Sequence, residues 1–233
     1  MEILQKKLIL IKSVSKAEKI NGIISLPGDK SISHRAMLLN SISNGSALVS
    51  NFCQGDDRNA MINCLNGLGI NIQKVQPSNS PYVDDTFVVE GIGKDDLSKP
   101  KEMLDAGNSG TTFRLVSGLL ATQAFESTIT GDNSLQNRPM DRIINPLAKM
   151  GAVIDGVNKP SYAPLKIHGG NLSGIEYVMP VASAQVKSCI MIAGIKALGT
   201  TTIIQPELSR DHTERMLKAM GANITIENLS IEI

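Results

Sequence analysis

Leu26-Pro27-Gly28-Asp29-Lys30-Ser31-Ile32-Ser33-His34-Arg35-Ala36-Met37-Leu38-Leu39 is the stretch around which the rest of the chain is organised. It closes an apolar, β-favouring run (Ile23, Ile24), breaks at Pro27-Gly28 and becomes a helical pattern from Ser31 onward. Asp29, Ser31 and Ser33 are cap formers, and Met37, Leu38 and Ile42 supply an apolar helical face. The first turn of a helix presents unpaired N–H groups and the positive end of the helix dipole, and both favour an anion. Lys30, Ser31 and Arg35 add side chains that hold phosphate or carboxylate. A plain capped, solvated turn fits the same residues, so this stretch alone leaves both readings open.

The pattern recurs downstream. Asn44-Gly45-Ser46 reads as a turn, Ala47-Leu48-Val49 as a short strand, and Asp56-Asp57-Arg58 as the start of a helix carrying Ala60, Met61, Leu65 and Leu68. Gly69 stands where that helix should be capped, with a strand at Ile70-Asn71-Ile72. Pro77 to Asp85 reads as a turn-rich linker and Thr86–Glu90 as another strand. A second unit opens at Ala106-Gly107-Asn108-Ser109-Gly110-Thr111, with Leu115, Leu119 and Leu120 on the helix face. Its second helix starts near Arg138-Pro139-Met140, proline sitting early where its missing N–H costs nothing, and ends at Met150-Gly151-Ala152. A third unit opens at Ala182-Ser183-Ala184-Gln185, and its second helix runs from Arg210-Asp211-His212 to Met220-Gly221-Ala222. The period is about 75 residues, longer than solenoid repeats, and predicts three βαβαββ-like units packed round a shared axis. Symmetric packing would bring three polar helix starts to one face, which favours the anion-binding reading.

With 233 residues, 42% hydrophobic content and a net charge of +1, the composition is that of an ordinary globular protein. It offers no basic excess, and an aromatic content of 3% without Trp leaves few platforms for stacking bases, so no nucleic-acid partner is expected. No run reaches the length of a membrane span, no leader pattern opens the chain, and no membrane partner is expected. Cys53, Cys64 and Cys189 are scattered and lack metal-ligand spacing, as reduced thiols in a cytoplasmic protein would be. Residues 1–20 alternate polar and apolar and read as a strand with a Lys-rich approach.

The helix starts collect Lys30, Ser31, Arg35, Asn108, Ser109, Gly110, Thr111, Arg138, Ser183 and Gln185, a cationic, donor-rich set suited to phosphate and carboxylate. Gly110 allows a ligand close to the backbone, although a plain turn glycine is also consistent with its position. Gly28-Asp29-Lys30-Ser31 looks like the end of a nucleotide phosphate loop but lacks that motif's earlier glycine. The histidines form no cluster: His34 reads as a packed residue, His168 as part of a turn and His212 as a helix start. The methionines read as core, and Asp56 and Asp57 as helix-start carboxylates.

Leu26–Arg35 closely resembles the opening signature of the 5-enolpyruvylshikimate-3-phosphate synthase family, and Gly107-Asn108-Ser109-Gly110-Thr111 its second signature. Asn137-Arg138-Pro139-Met140, Ser183-Ala184-Gln185 and Ser209–Glu214 continue the match in order, in forms closer to the class II branch. The resemblance runs from about Lys12 to the end. It implies an α+β fold: an inverse α/β domain of three βαβαββ repeats around a pseudo-threefold axis, at about residues 21–90, 91–165 and 166–233. It implies transfer of the enolpyruvyl group of phosphoenolpyruvate to the 5-hydroxyl of shikimate 3-phosphate, with release of phosphate and no organic cofactor. By carry-over, Lys30, Ser31, Arg35, Ser183, Ala184, Gln185 and Arg210 hold shikimate 3-phosphate. Lys30, Asn108, Gly110, Arg138 and Gln185 serve phosphoenolpyruvate, and Lys30 is the catalytic candidate, stabilising charge between the ligands. Gly110 is the small residue that accompanies glyphosate sensitivity in this family.

Members of the family are nearly twice this length and place the substrates between two lobes. The chain is therefore expected to be the N-terminal lobe, with residues 1–20 belonging to the other lobe, which carries the acid and base and further phosphoenolpyruvate ligands. It is expected to fold alone with negligible turnover. Two rivals stand beside this reading. One is the related transferase acting on UDP-N-acetylglucosamine, disfavoured because Asp132–Asn137 holds no Cys where that family carries one. The other is a non-catalytic anion-binding module.

Overall fold

The computed structural model describes residues 12–13, 15–24, 26–76 and 85–233. Three units follow one another. The first comprises α1 (Lys30–Ser41), β1 (Asn44–Val49), α2 (Asp57–Gly67), β2 (Asn71–Val75) and β3 (Thr86–Ile92). The second comprises β4 (Leu104–Asp105), α3 (Gly110–Ala121), β5 (Glu126–Thr130), the one-turn α4 (Asn133–Gln136), α5 (Asp141–Lys149), β6 (Val153–Gly156) and β7 (Leu165–His168). The third comprises β8 (Glu176–Val178), α6 (Ala184–Gly194), β9 (Thr202–Ile204), α7 (His212–Ala219), β10 (Thr225–Glu227) and β11 (Ser230–Glu232).

Each unit makes its own sheet. The second has strand order β4-β5-β7-β6 and the third β8-β9-β11-β10, the same arrangement with the first pair parallel and the rest antiparallel. Among the described residues the first unit has β1-β3-β2, which matches the last three strands of that order. The sheets bury alternate residues of strands such as β5 and β7, as expected of sheets with one face on a core and one on water.

Helices fill the interior. In α3 every residue except Arg114 is buried, and in α6 every residue from Val186 to Gly194, so both are apolar nearly all round, as central helices must be. They cross closely: a Cβ on Gly118 would lie 2.4 Å from the Cys189 carbonyl oxygen, so only glycine fits there. The second helix of each unit ends in a left-handed glycine, with φ of 92° at Gly69, 112° at Gly151 and 86° at Gly221, the last two within the repeated Met-Gly-Ala signature.

Several local expectations change. Ile23 and Ile24 are not in a strand; they are exposed, and no strand among the described residues pairs with them. The described residues among 12–20 also form no strand, and the rest of that segment lies outside the described residues. Most of the Pro77–Asp85 linker lies outside them too. β1 begins at Asn44 because Asn44 and Gly45 already pair with Ile92 and Gly91. His168 ends β7, where it faces Glu126 at 2.9 Å, and so is not in a turn. Pro139 precedes the N-cap Met140 and so stands outside helix α5; the proline within α5 is Pro146. Met37, Met61, Met140, Met150, Met179 and Met191 are core, whereas Met103 and Met220 are half exposed.

Candidate anion-binding site

The first helix of each unit starts with a side-chain cap. Asp29 accepts from the Ile32 N–H at 2.8 Å, Ser109 from Thr112 at 3.2 Å and Ser183 from Val186 at 3.4 Å. Each such cap contributes about 1 kcal/mol and leaves the earlier N–H groups of its helix facing outward.

Cations gather at these starts in two pairs. Arg35, buried on α1, donates Nε to Thr213 Oγ1 at 2.6 Å and Nη2 to Ser188 Oγ at 2.8 Å and to the Ala184 carbonyl at 3.3 Å. It thereby fastens α1 to the beginnings of α6 and α7. Arg210 donates to Ser31 Oγ at 3.1 Å. Burial, and then the neighbouring Arg210, hold the Arg35 guanidinium below its ordinary pKa, against the pull of Glu214. On α3, Arg114 donates to its own Gly110 carbonyl at 3.1 Å and to Gln185 Oε1 at 2.9 Å, while Gln185 donates to Thr111 Oγ1 at 2.9 Å. Burial lowers the Arg114 pKa as well, and Arg138 is the next cause. Like charges held side by side at helix N-termini form a site that an anion would relieve.

Arg138 is aimed by the loop around α4. Its Nη2 donates to Asn108 Oδ1 at 2.9 Å and Ser134 Oγ at 3.1 Å, and Asn108 donates to Asp132 Oδ2 at 2.7 Å. That hydrogen bond, with the Leu135 N–H on the same carboxylate, holds Asp132 below the usual carboxylate range. A Cβ on Gly110 would stand 2.7 Å from Arg114 Nη1 and 3.4 Å from Arg138 Nη1, so the glycine is what lets both guanidiniums close over the start of α3.

Direct contacts therefore join Arg35 to Ser31 and Ala184, Arg210 to Ser31, and Arg138 to Asn108, while Gln185 meets α3 through Arg114 and Thr111 and Ser183 only caps its own helix. Lys30 stands apart from these links: its Nζ pairs with Asp57 Oδ2 at the start of α2. Beneath that pair lies the fully buried His34, with Nδ1 2.7 Å from the Lys30 carbonyl and Nε2 3.2 Å from the Asp57 carbonyl. Burial lowers the ring pKa to about 4, so the ring is neutral and donates to one of these two carbonyls. The packed role expected of His34 is what it has.

Sequence reasoning passed over Arg114 and, although it read Asp57 as the helix-start carboxylate that it is, over the pairing of Asp57 with Lys30. Arg114 had a legible signal: it lies four residues after Gly110, as Arg35 lies four after Ser31, and each reaches back to that carbonyl. The Lys30–Asp57 pairing had none, since it is long-range. Cys64 and Cys189 are buried free thiols pushed up to about 12 by burial, and Cys53 is also buried and free. Among the described residues no helix is long and apolar enough to cross a membrane.

The family model described as EPSP synthase (3-phosphoshikimate 1-carboxyvinyltransferase) matches residues 14–233. The chain belongs to the EPSP synthase family. A 3-phosphoshikimate 1-carboxyvinyltransferase of Alkaliphilus metalliredigens is 49% identical over 213 residues, 91% of this chain and 48% of that protein. One of Brevibacillus brevis is 46% identical over 220 residues, 94% of this chain and 50% of the other. A solved EPSP synthase from Acinetobacter baumannii superposes with a TM-score of 0.84 at 42% identity, covering 91% of this chain and 46% of that one. The α+β fold of the EPSP synthase family is thus the fold of this chain, which spans about half the length of the curated relatives it matches.

Proposed function

We propose that this chain is the lobe of an EPSP synthase that binds shikimate 3-phosphate and one side of phosphoenolpyruvate. In the complete protein the enolpyruvyl group passes to the 5-hydroxyl of shikimate 3-phosphate and phosphate leaves. The observation that carries the reading is the pair of guanidinium couples at capped helix starts, Arg35 and Arg210 both donating to Ser31 and Arg114 and Arg138 both lying over Gly110. In this reading Ser31, Arg35, Ser183, Ala184, Gln185 and Arg210 hold shikimate 3-phosphate. Asn108 orients Arg138, and Arg138, Gly110 and Gln185 receive phosphoenolpyruvate. Lys30 serves both ligands and stabilises charge as it moves between them, which requires an incoming anion to draw it from Asp57. No organic cofactor is assigned, and the reaction is placed in the cytoplasm. Residues 1–20 are assigned to the other lobe together with the acid and base, so the purified chain has negligible turnover.

The test is a titration of isotope-labelled chain with shikimate 3-phosphate, followed through amide shifts. Saturable shifts at Ser31, Arg35 and Ser183 to Gln185, absent with inorganic phosphate, support a preformed half-site. A folded sample that gives identical shifts with both ligands would favour a generic anion-binding module instead.

A further inference from the structure

Behind the arginine pairs lies a buried polar group with no direct part in the proposed chemistry. Lys187, on α6, is two residues beyond Gln185 and its side chain is 1% exposed; it pairs with Glu214 Oε1 on α7, a side chain 3% exposed. Its Nζ also donates to Gln205 Oε1 at 2.9 Å. The same Gln205 oxygen accepts from Ser209 Oγ at 2.8 Å, and Ser209 is the residue before Arg210. Next along both helices, Ser188 and Thr213 hydroxyls meet at 2.6 Å, and both accept from Arg35. The second Glu214 oxygen, Oε2, is buried without a hydrogen-bond partner.

An apolar pair would hold two helices together at least as well as this ion pair, because desolvating two charges offsets most of their attraction. What an apolar pair cannot do is hold the Gln205 oxygen, and through it the loop that carries Arg210. Lys187 also balances the Glu214 carboxylate, whose charge acts on Arg35. Without that balance, Glu214 would compete with an incoming anion for the guanidinium.

We propose that Lys187 is a positioning residue for the anion site, fixing through Glu214 and Gln205 both the start of α6 and the loop bearing Arg210. The assignment of the ligand as shikimate 3-phosphate rests on the proposed function; the positioning itself does not. The experiment compares the parent chain with Lys187→Met/Glu214→Met and with Gln205→Leu. It measures the melting temperature, the Arg210 Nε–H resonance without ligand, and the affinity for shikimate 3-phosphate. The double variant is expected to melt near the parent, since both charges leave together. Its Arg210 resonance collapses toward the free-arginine position, and affinity falls by at least about tenfold, as misplacing a binding group does. Gln205→Leu, which keeps the ion pair, is expected to show the same loss at Arg210.

A double variant that folds and keeps the parent Arg210 resonance overturns the proposal, as does an Arg210 signal already averaged in the parent. If the double variant does not fold, Gln205→Leu decides by the same criterion. A parent chain with an ordered Arg210 that binds no shikimate 3-phosphate counts against the half-site reading while leaving Lys187 in its positioning role.

Discussion

The first and second units carry the same order of elements and use it differently. In the second, β4 closes the sheet beside β5, and α3 is buried nearly all round. In the first, the corresponding edge of β1 has no neighbour among the described residues; Leu48 on it is 61% exposed, and the lead-in residues Ile23 and Ile24 lie open to solvent. Their helix starts differ in kind as well. α1 begins with the cations Lys30 and Arg35, whereas α3 begins with Gly110 and takes its charge from Arg114 and Arg138. Both units contribute core and cations, but only the second surrounds its first helix on nearly every side, from a single repeated plan. The lesson is that a repeat conserves backbone order and lets burial decide what each copy does.

Four substitutions or conditions would break or sharpen that contrast. Leu115→Ala, in the core of the second unit, should cost about 2–5 kcal/mol in urea denaturation, since it removes fully buried methyl groups and leaves a cavity. A loss below 1 kcal/mol, on the order of a surface change, would mean that α3 is not central.

Acid should act on the first unit through His34. Its folded pKa of about 4 lies below the ordinary 6.5, so the unfolded chain binds the proton first. The stability this contributes is complete above about pH 6.5, declines as pH falls and is lost below about pH 4, amounting to about 3 kcal/mol. Equilibrium unfolding of the chain and of His34→Gln across this range measures it; an unchanged pH slope in the variant would exclude the ring as the cause.

Gly110→Ala should barely move the melting temperature, because the added Cβ meets the ends of Arg114 and Arg138 rather than backbone. It should weaken anion binding about tenfold, equivalent to about 1.4 kcal/mol, by pushing both guanidiniums outward. Calorimetric titration of parent and variant separates the two effects. The smallest change belongs to Ile24→Ala, expected within about 0.5 kcal/mol of the parent because that side chain buries nothing here. A larger loss would mean that the lead-in pairs with the free edge of β1 in solution. Amide exchange supplies the complementary test, with β1 expected to exchange faster than β5, which is flanked on both sides.

Much of the fold was legible along the chain. Capped starts at Asp29, Ser109 and Ser183, and the glycines at 69, 151 and 221, depend on contacts within a few residues, and the structure forms them where the pattern placed them. Ile23-Ile24 misled because an apolar, β-branched pair has strand propensity but becomes a strand only beside a partner. His168, read as part of a turn, ends β7 because it pairs across the sheet with Glu126 and Val153.

The site divides in the same way. The residue types at the helix starts, and hence the preference for an anion, follow from local sequence, because capping, the helix dipole and side-chain charge are properties of short segments. The coupling of Arg114 to Gln185, of Arg210 to Ser31, of Lys30 to Asp57 and of Lys187 to Glu214 came only from packing. In all four cases these partners lie tens to well over a hundred residues apart, and no periodicity carries such distances. Which arginine stands beside which depends on how three units close on one another, and that is settled by burying α3 and α6 together in a low-dielectric interior.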